Sequence, residues 1–340
     1  MIPRGAPATL GLVALLVAVA GRPLDAYLKL GVRLDDGRSV SLKWNAFPVR
    51  YFITDRSVPD VDVDQFRSAV ADAFDTWRQV ATADVGFEFV GYTSAEPFDE
   101  DGMSVLGFQD QPELERVLGA TTFLIDTVSG EILESDIFFN ASFDWSVAAA
   151  GESGRHDLQS VVTHEIGHLI GLGHSAIGET ELQPGGGRRV LGAEAVMFPI
   201  AFSAGNISSR TLKADDISGV SDIYPTGGFR RATGSVSGHV TKDGHGIFGA
   251  HVTVFDLRSG ALVANFSLDD AGMFTVAGLS PGPHVVRVEP LDDGDLESYF
   301  DDTERVDVDF GVTYATRLVV VPRGGAARDV EIAVRAKGAR

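Results

Sequence analysis

The chain has 340 residues, 44% of them hydrophobic and 22% charged, enough for two domains that each bury a core. Forty-eight acidic against 28 basic residues leave a net charge of −20, which argues against nucleic acid as a partner because phosphate binding needs a basic face. Cysteine is absent, so no disulfide and no thiolate ligand is available, and stability must come from core burial and metal.

At the N-terminus, Arg4 precedes an apolar run from Leu10 to Ala20. Eleven residues are too few to span a bilayer but fit the apolar core of a signal peptide. Ala18-Val19-Ala20 and Leu24-Asp25-Ala26 both offer small-x-small cleavage sites. A signal peptide over 1–26 and an exported protein, secreted or periplasmic, are expected, with no later membrane span.

Residues 27–226 read as one domain of mixed helix and strand. A short strand is expected at Val49–Thr54. Phe66, Val70, Phe74, Trp77 and Val80 recur every three or four residues, the period of one helix face, over about 62–82. Strand-like runs follow at 85–92, 103–108, 120–126 and 131–140. A second helix is expected over 157–170 and a third over 214–224, with Asp215 and Asp216 in the first turn of the third, where the helix dipole favours acids, and Pro225 closing it. Residues 227–233 have the glycine-rich, aperiodic composition of a linker. Beyond them, seven short runs between Gly, Asp and Pro turns predict an all-β sandwich over 234–340. The acidic clusters Asp99–Glu100–Asp101 and Asp292–Asp293–Asp295 permit Ca2+, though neither has EF-hand spacing. Asn140, Asn206 and Asn265 each begin an N-x-Ser acceptor triplet.

The chemistry is concentrated in eleven residues, His164-Glu165-Ile166-Gly167-His168-Leu169-Ile170-Gly171-Leu172-Gly173-His174. Residues four apart share a helix face, so His164 and His168 can present ring nitrogens to one ion. A third ligand eight positions along the helix would lie too far up its axis. Gly171 accepts positive φ and breaks the helix, which lets His174 swing back to the metal. Three nitrogen ligands with an open fourth position describe a catalytic Zn2+ site. Glu165 faces the open position, where a carboxylate takes the proton of a metal-activated water and returns it to the leaving amine.

These residues match the metzincin motif HExxHxxGxxH at every fixed position, and the chain resembles the matrixin family of that clan. The resemblance runs from about Leu42 to Tyr224 and includes Trp44, the Ala73–Trp77 helix end and the closing stretch Leu212–Tyr224. It implies an α+β catalytic domain built on a twisted mixed sheet with three main helices. It also identifies Ala195–Pro199 as the Met-turn, with Met197 as the hydrophobic floor beneath the metal. Pro199 stands where some metzincins carry a fifth, tyrosine ligand. Ala120 and Asp136 stand where the matrixin pattern has structural-zinc histidines, so a second zinc is not expected. Pro199-Ile200-Ala201 replaces the family's Pro-x-Tyr wall, so specificity does not transfer. Without cysteine, latency by a cysteine switch is excluded. The stretch from Gly234 to Val288 resembles carboxypeptidase-regulatory, transthyretin-like modules.

Two functions are compatible with this pattern. One is a secreted zinc metalloendopeptidase that hydrolyses protein or peptide substrates, with the C-terminal domain attaching it to a surface or matrix. The other is a secreted adhesion or binding protein whose zinc domain is inactive. The long glycine-containing connection between His174 and Met197 is expected to be mobile and to border the cleft.

Overall fold

The computed structural model describes residues 29–33, 39–184, 186–300 and 303–338; the expected signal peptide lies outside these. The N-terminal region is built on a five-stranded sheet. Its strands are β1 (Val49–Thr54), β2 (Phe87–Thr93), β3 (Ser104–Gln109), β4 (Gly119–Ile125) and β5 (Ile132–Asn140). Their spatial order is β2-β1-β3-β5-β4. All neighbours are parallel except β4, which runs antiparallel to β5 and, among the described residues, leaves its other side unpaired at the sheet edge.

Helix α1 (Val63–Arg78) starts where the sequence periodicity does. Asp62 accepts the Gln65 amide at 2.8 Å while the Gln65 side chain accepts the Asp62 amide at 2.9 Å, a reciprocal cap. Its apolar face buries Phe66, Val70, Phe74 and Trp77 against the sheet and against helix α2 (Leu158–Leu169). Each such side chain contributes about 1.5–3 kcal/mol by leaving water. The Trp77 indole also donates to the Thr163 carbonyl at 2.8 Å, which fixes α1 on α2. Helix α3 (Ala214–Ile223) closes this region, and Tyr224 beyond it packs edge-on against Phe47.

The expected linker folds as a helical turn, α4 (Phe229–Ala232), and Phe229 is buried. One apolar side chain in an otherwise polar stretch was too short a signal for the sequence to show. From Gly234 onward the chain is mostly strand. Strand β8 (Gly234–Lys242) pairs antiparallel with β11 (Met273–Leu279) and parallel with β14 (Ala326–Val334). A second sheet holds β9 (His251–Asp256), β10 (Leu262–Phe266), β12 (Gly282–Glu289) and β13 (Val319–Val321). Residues of both sheets, among them Val236, Phe274, Ile332, Val254 and Val286, form one buried cluster.

The connection after His174 differs from expectation. It is a β-hairpin, β6 (Gly178–Leu182) with β7 (Arg188–Ala193), and it is tied to the C-terminal region. The Thr180 amide donates to the Asp293 carboxylate and its hydroxyl to the Asp293 carbonyl, both at 2.8 Å. Arg188 donates to the Asp292 carbonyl at 2.9 Å. Two members of the second acidic cluster thus anchor the hairpin, Asp293 through its carboxylate and carbonyl and Asp292 through its carbonyl.

Candidate metal centre

Helix α2 begins at Asp157, whose side chain accepts the Ser160 amide at 2.8 Å and pairs with Arg210. The helix presents His164 and His168 on one face, and Ile170 caps it. Gly171 has φ +93, and a Cβ there would lie 2.4 Å from the Leu42 carbonyl oxygen, so only glycine fits this reversal. The turn brings His174 back to the other two. The Nε2 atom of His168 is 3.1 Å from that of His164 and 3.2 Å from that of His174. Among the described residues these three are the group of His, Asp or Glu side chains placed to hold an ion.

The donor set fits zinc. Nitrogens about 2.0–2.1 Å from a tetrahedral ion stand about 3.3–3.4 Å apart, close to the spacings found. Each Nδ1 faces a backbone carbonyl: His164 that of Val196 at 2.7 Å, His168 that of Leu172 at 2.8 Å and His174 that of Ser298 at 2.7 Å. A carbonyl only accepts, so each Nδ1 carries the hydrogen and each Nε2 keeps its lone pair. Burial holds all three rings neutral, His174 down to about 3 and His168 well below the usual value, with repulsion from neighbouring imidazoles adding to the shift.

Glu165 lies beside the trio, 5% exposed, and burial pushes its carboxyl up to about 7. The Thr121 hydroxyl of β4 donates to Oε2 at 2.7 Å. The cleft, about 230 Å3, is lined by Leu118 and the β4 edge at Gly119 and Ala120 and by the wall from Phe198 to Ala204, together with the trio and Glu165.

Met197 is 2% exposed and packs under α2. A Cβ at Gly167 would stand 2.2 Å from its sulfur, so the glycine inside the motif makes room for the methionine. Asp216 is the functional neighbour that sequence reasoning missed. Its carboxylate accepts the Val196 amide at 2.9 Å, the Met197 amide at 3.1 Å and the Lys213 amide at 2.8 Å. It thereby fixes the carbonyl on which His164 rests. As a first-turn acid of α3 it had looked like a dipole partner only.

Asp136, aligned with a structural-zinc histidine, instead accepts the Phe98 amide at 2.6 Å and the Val105 amide at 2.8 Å. Ala120 offers no ligand. Of the three acceptor triplets, Asn140 and Asn265 are buried, while Asn206 is exposed. Asn140 donates to the carbonyls of Gln111, Leu114 and Val117, a loop-bracing role.

Residues 43–185 match the model of the matrixin family. That segment is matrixin-like, of the metzincin kind. The matched segment holds all three histidines and Glu165 and ends before Met197. Similar proteins include Metalloendoproteinase 1 of Glycine max, 28% identical over 54% of this chain and 52% of that protein. Stromelysin-1 of Mus musculus is 25% identical over 55% and 34%. Matrix metalloproteinase-C of Caenorhabditis elegans is 27% identical over 58% and 31%. The chain spans about half the length, or less, of these relatives. The strand-rich region from Gly234 onward lies outside the matched segment.

Proposed function

We propose that the protein is a secreted zinc-dependent endopeptidase in which His164, His168 and His174 hold the ion and Glu165 is the general base. The observation that carries this reading is the convergence of three Nε2 lone pairs beside a buried carboxylate in an open cleft. A zinc ion held there supplies an acidified water and charge stabilisation for the substrate carbonyl. Thr121 holds Glu165 Oε2 and leaves Oε1 to take the water's proton and to deliver it to the departing amine. The unpaired β4 edge accepts an extended peptide as a further strand, using main-chain hydrogen bonds that any sequence can supply. Met197 supports the floor, held by Asp216. In the same reading 27–226 is the catalytic unit and 234–340 a β-sandwich that attaches the enzyme to a surface or matrix. Export follows from the expected signal peptide; among the described residues no helix is long and apolar enough to cross a membrane.

The alternative, an inactive zinc domain serving as a scaffold for binding, has no use for a carboxylate held in the cleft by a dedicated hydroxyl. A casein or gelatin assay separates the two. The endopeptidase cuts internal bonds, stops with chelator and resumes with zinc. Glu165→Gln is expected to retain zinc and to lose about 10²–10⁴-fold in kcat. Full activity in that variant refutes the assignment.

A further inference from the structure

The strand-rich C-terminal region reaches into the metal centre. His164 and His168 find the acceptors for their Nδ1 hydrogens within the N-terminal region, at Val196 and Leu172. His174 takes its acceptor from Ser298, 124 residues downstream. Ser298 closes a short helical turn in which the Tyr299 and Phe300 amides donate to the Leu296 carbonyl at 2.9 and 3.0 Å. The Tyr299 ring, 1% exposed, stands edge-on to His174 at 6.5 Å between centroids and packs on Phe266 at 5.8 Å.

This contact is not isolated. Ala176, two residues past His174, is buried in a cluster with Phe248, Phe266, Leu291, Tyr299 and Phe300. The Ala264 amide of β10 donates to the Asp215 carboxylate of α3 at 2.9 Å. Asp293 grips Thr180 in β6 of the same connection. The two ends of this connection, His174 and Met197, thus meet helix α2, while Ala176 and Thr180 between them meet the C-terminal region.

We propose that the segment around Ser298 and Tyr299 is a built part of the metal centre. Ser298, through its carbonyl, is a positioning residue for His174, and Tyr299 anchors that carbonyl. This inference rests on the reading of the trio as a zinc site. Its consequence is reciprocal: docking of the C-terminal strands tightens zinc binding, and zinc tightens docking by the same factor. The C-terminal region then has a role in the metal chemistry of this chain besides any attachment it provides.

The test uses the full chain. Zinc affinity is measured by competition with a chromophoric chelator, and ligand geometry by the visible absorption of the Co2+-substituted protein. Tyr299→Ala is expected to weaken zinc binding by about 10–100-fold, the range for loss of an outer-shell partner, and to change the Co2+ spectrum. Tyr299→Phe, which keeps the ring, and Val320→Ala, on an exposed position of β13, stay at wild-type values in both. If Tyr299→Ala retains its fold by circular dichroism together with wild-type affinity and spectrum, the proposal is overturned. Should Tyr299→Ala fail to fold, Asp293→Ala loosens the same clasp without hollowing the core; reduced affinity there supports the proposal and unchanged affinity overturns it. A wild-type chain that binds no zinc overturns the zinc reading itself, and the two failures are thus distinct.

Discussion

The residues that matter most at this centre are held by groups with no signature of their own. The HExxH spacing was readable because a helix repeats every 3.6 residues, and Gly171 because a reversal after a helix favours glycine. The three carbonyls that orient the rings were not readable, since every residue has one. Gly167 is a case where the reason appears only in three dimensions. Gly167→Ala is expected to cost about 1–3 kcal/mol by overpacking, seen as a lower thermal midpoint, and combining it with Met197→Ala should recover part of that loss because the sulfur it strikes is gone. Asp136 makes a second residue-scale prediction. Burial raises its carboxyl from 3.8 to about 7 against the lowering effect of two backbone hydrogen bonds. The folded protein then keeps a proton that the unfolded chain has released between about pH 4 and 7, so the group's contribution to stability is complete below about pH 4 and lost as pH rises through about 7. Carbon-detected NMR of the Asp136 carboxyl should show a midpoint near 7; one near 4 would remove the effect.

Among elements, the long ones were legible and the short ones were not. Helices α1, α2 and α3 and strands β1 to β5 lie within a few residues of their expected bounds, because each carries a sustained apolar period and a cap or turn at its ends. Two segments came out differently. The connection after His174 looked mobile from its Pro184-to-Gly187 run, yet the segments flanking that run form the paired strands β6 and β7, secured by Asp292 and Asp293. The segment 227–233 had the composition of a linker, yet Phe229 docks into the fold as α4. Phe229→Ala is expected to cost about 3–5 kcal/mol, whereas an exposed linker residue would cost almost nothing. Equilibrium urea unfolding of the variant decides between them.

For the molecule as a whole, zinc is expected to act as a stabilising ligand. Binding to the folded state alone contributes RT ln(1 + [Zn]/Kd), about 2.7 kcal/mol at one hundred times Kd. The thermal midpoint should rise with added zinc and fall with chelator, equally in Glu165→Gln, while His168→Ala should lose the response. Calorimetry with and without the metal measures this. The mixed helix-and-strand character of the N-terminal region, the strand-rich character of the C-terminal one, the histidine spacing and the order of the long elements could be read from the amino-acid order because each is a local matter of period, spacing or turn chemistry within a few residues. The partnership of Asp216 with the Met197 loop and of Ser298 with His174 could not. Those contacts join residues 19 to 124 positions apart through backbone groups common to every amino acid, so only the packed chain selects which carbonyl or amide stands at the site.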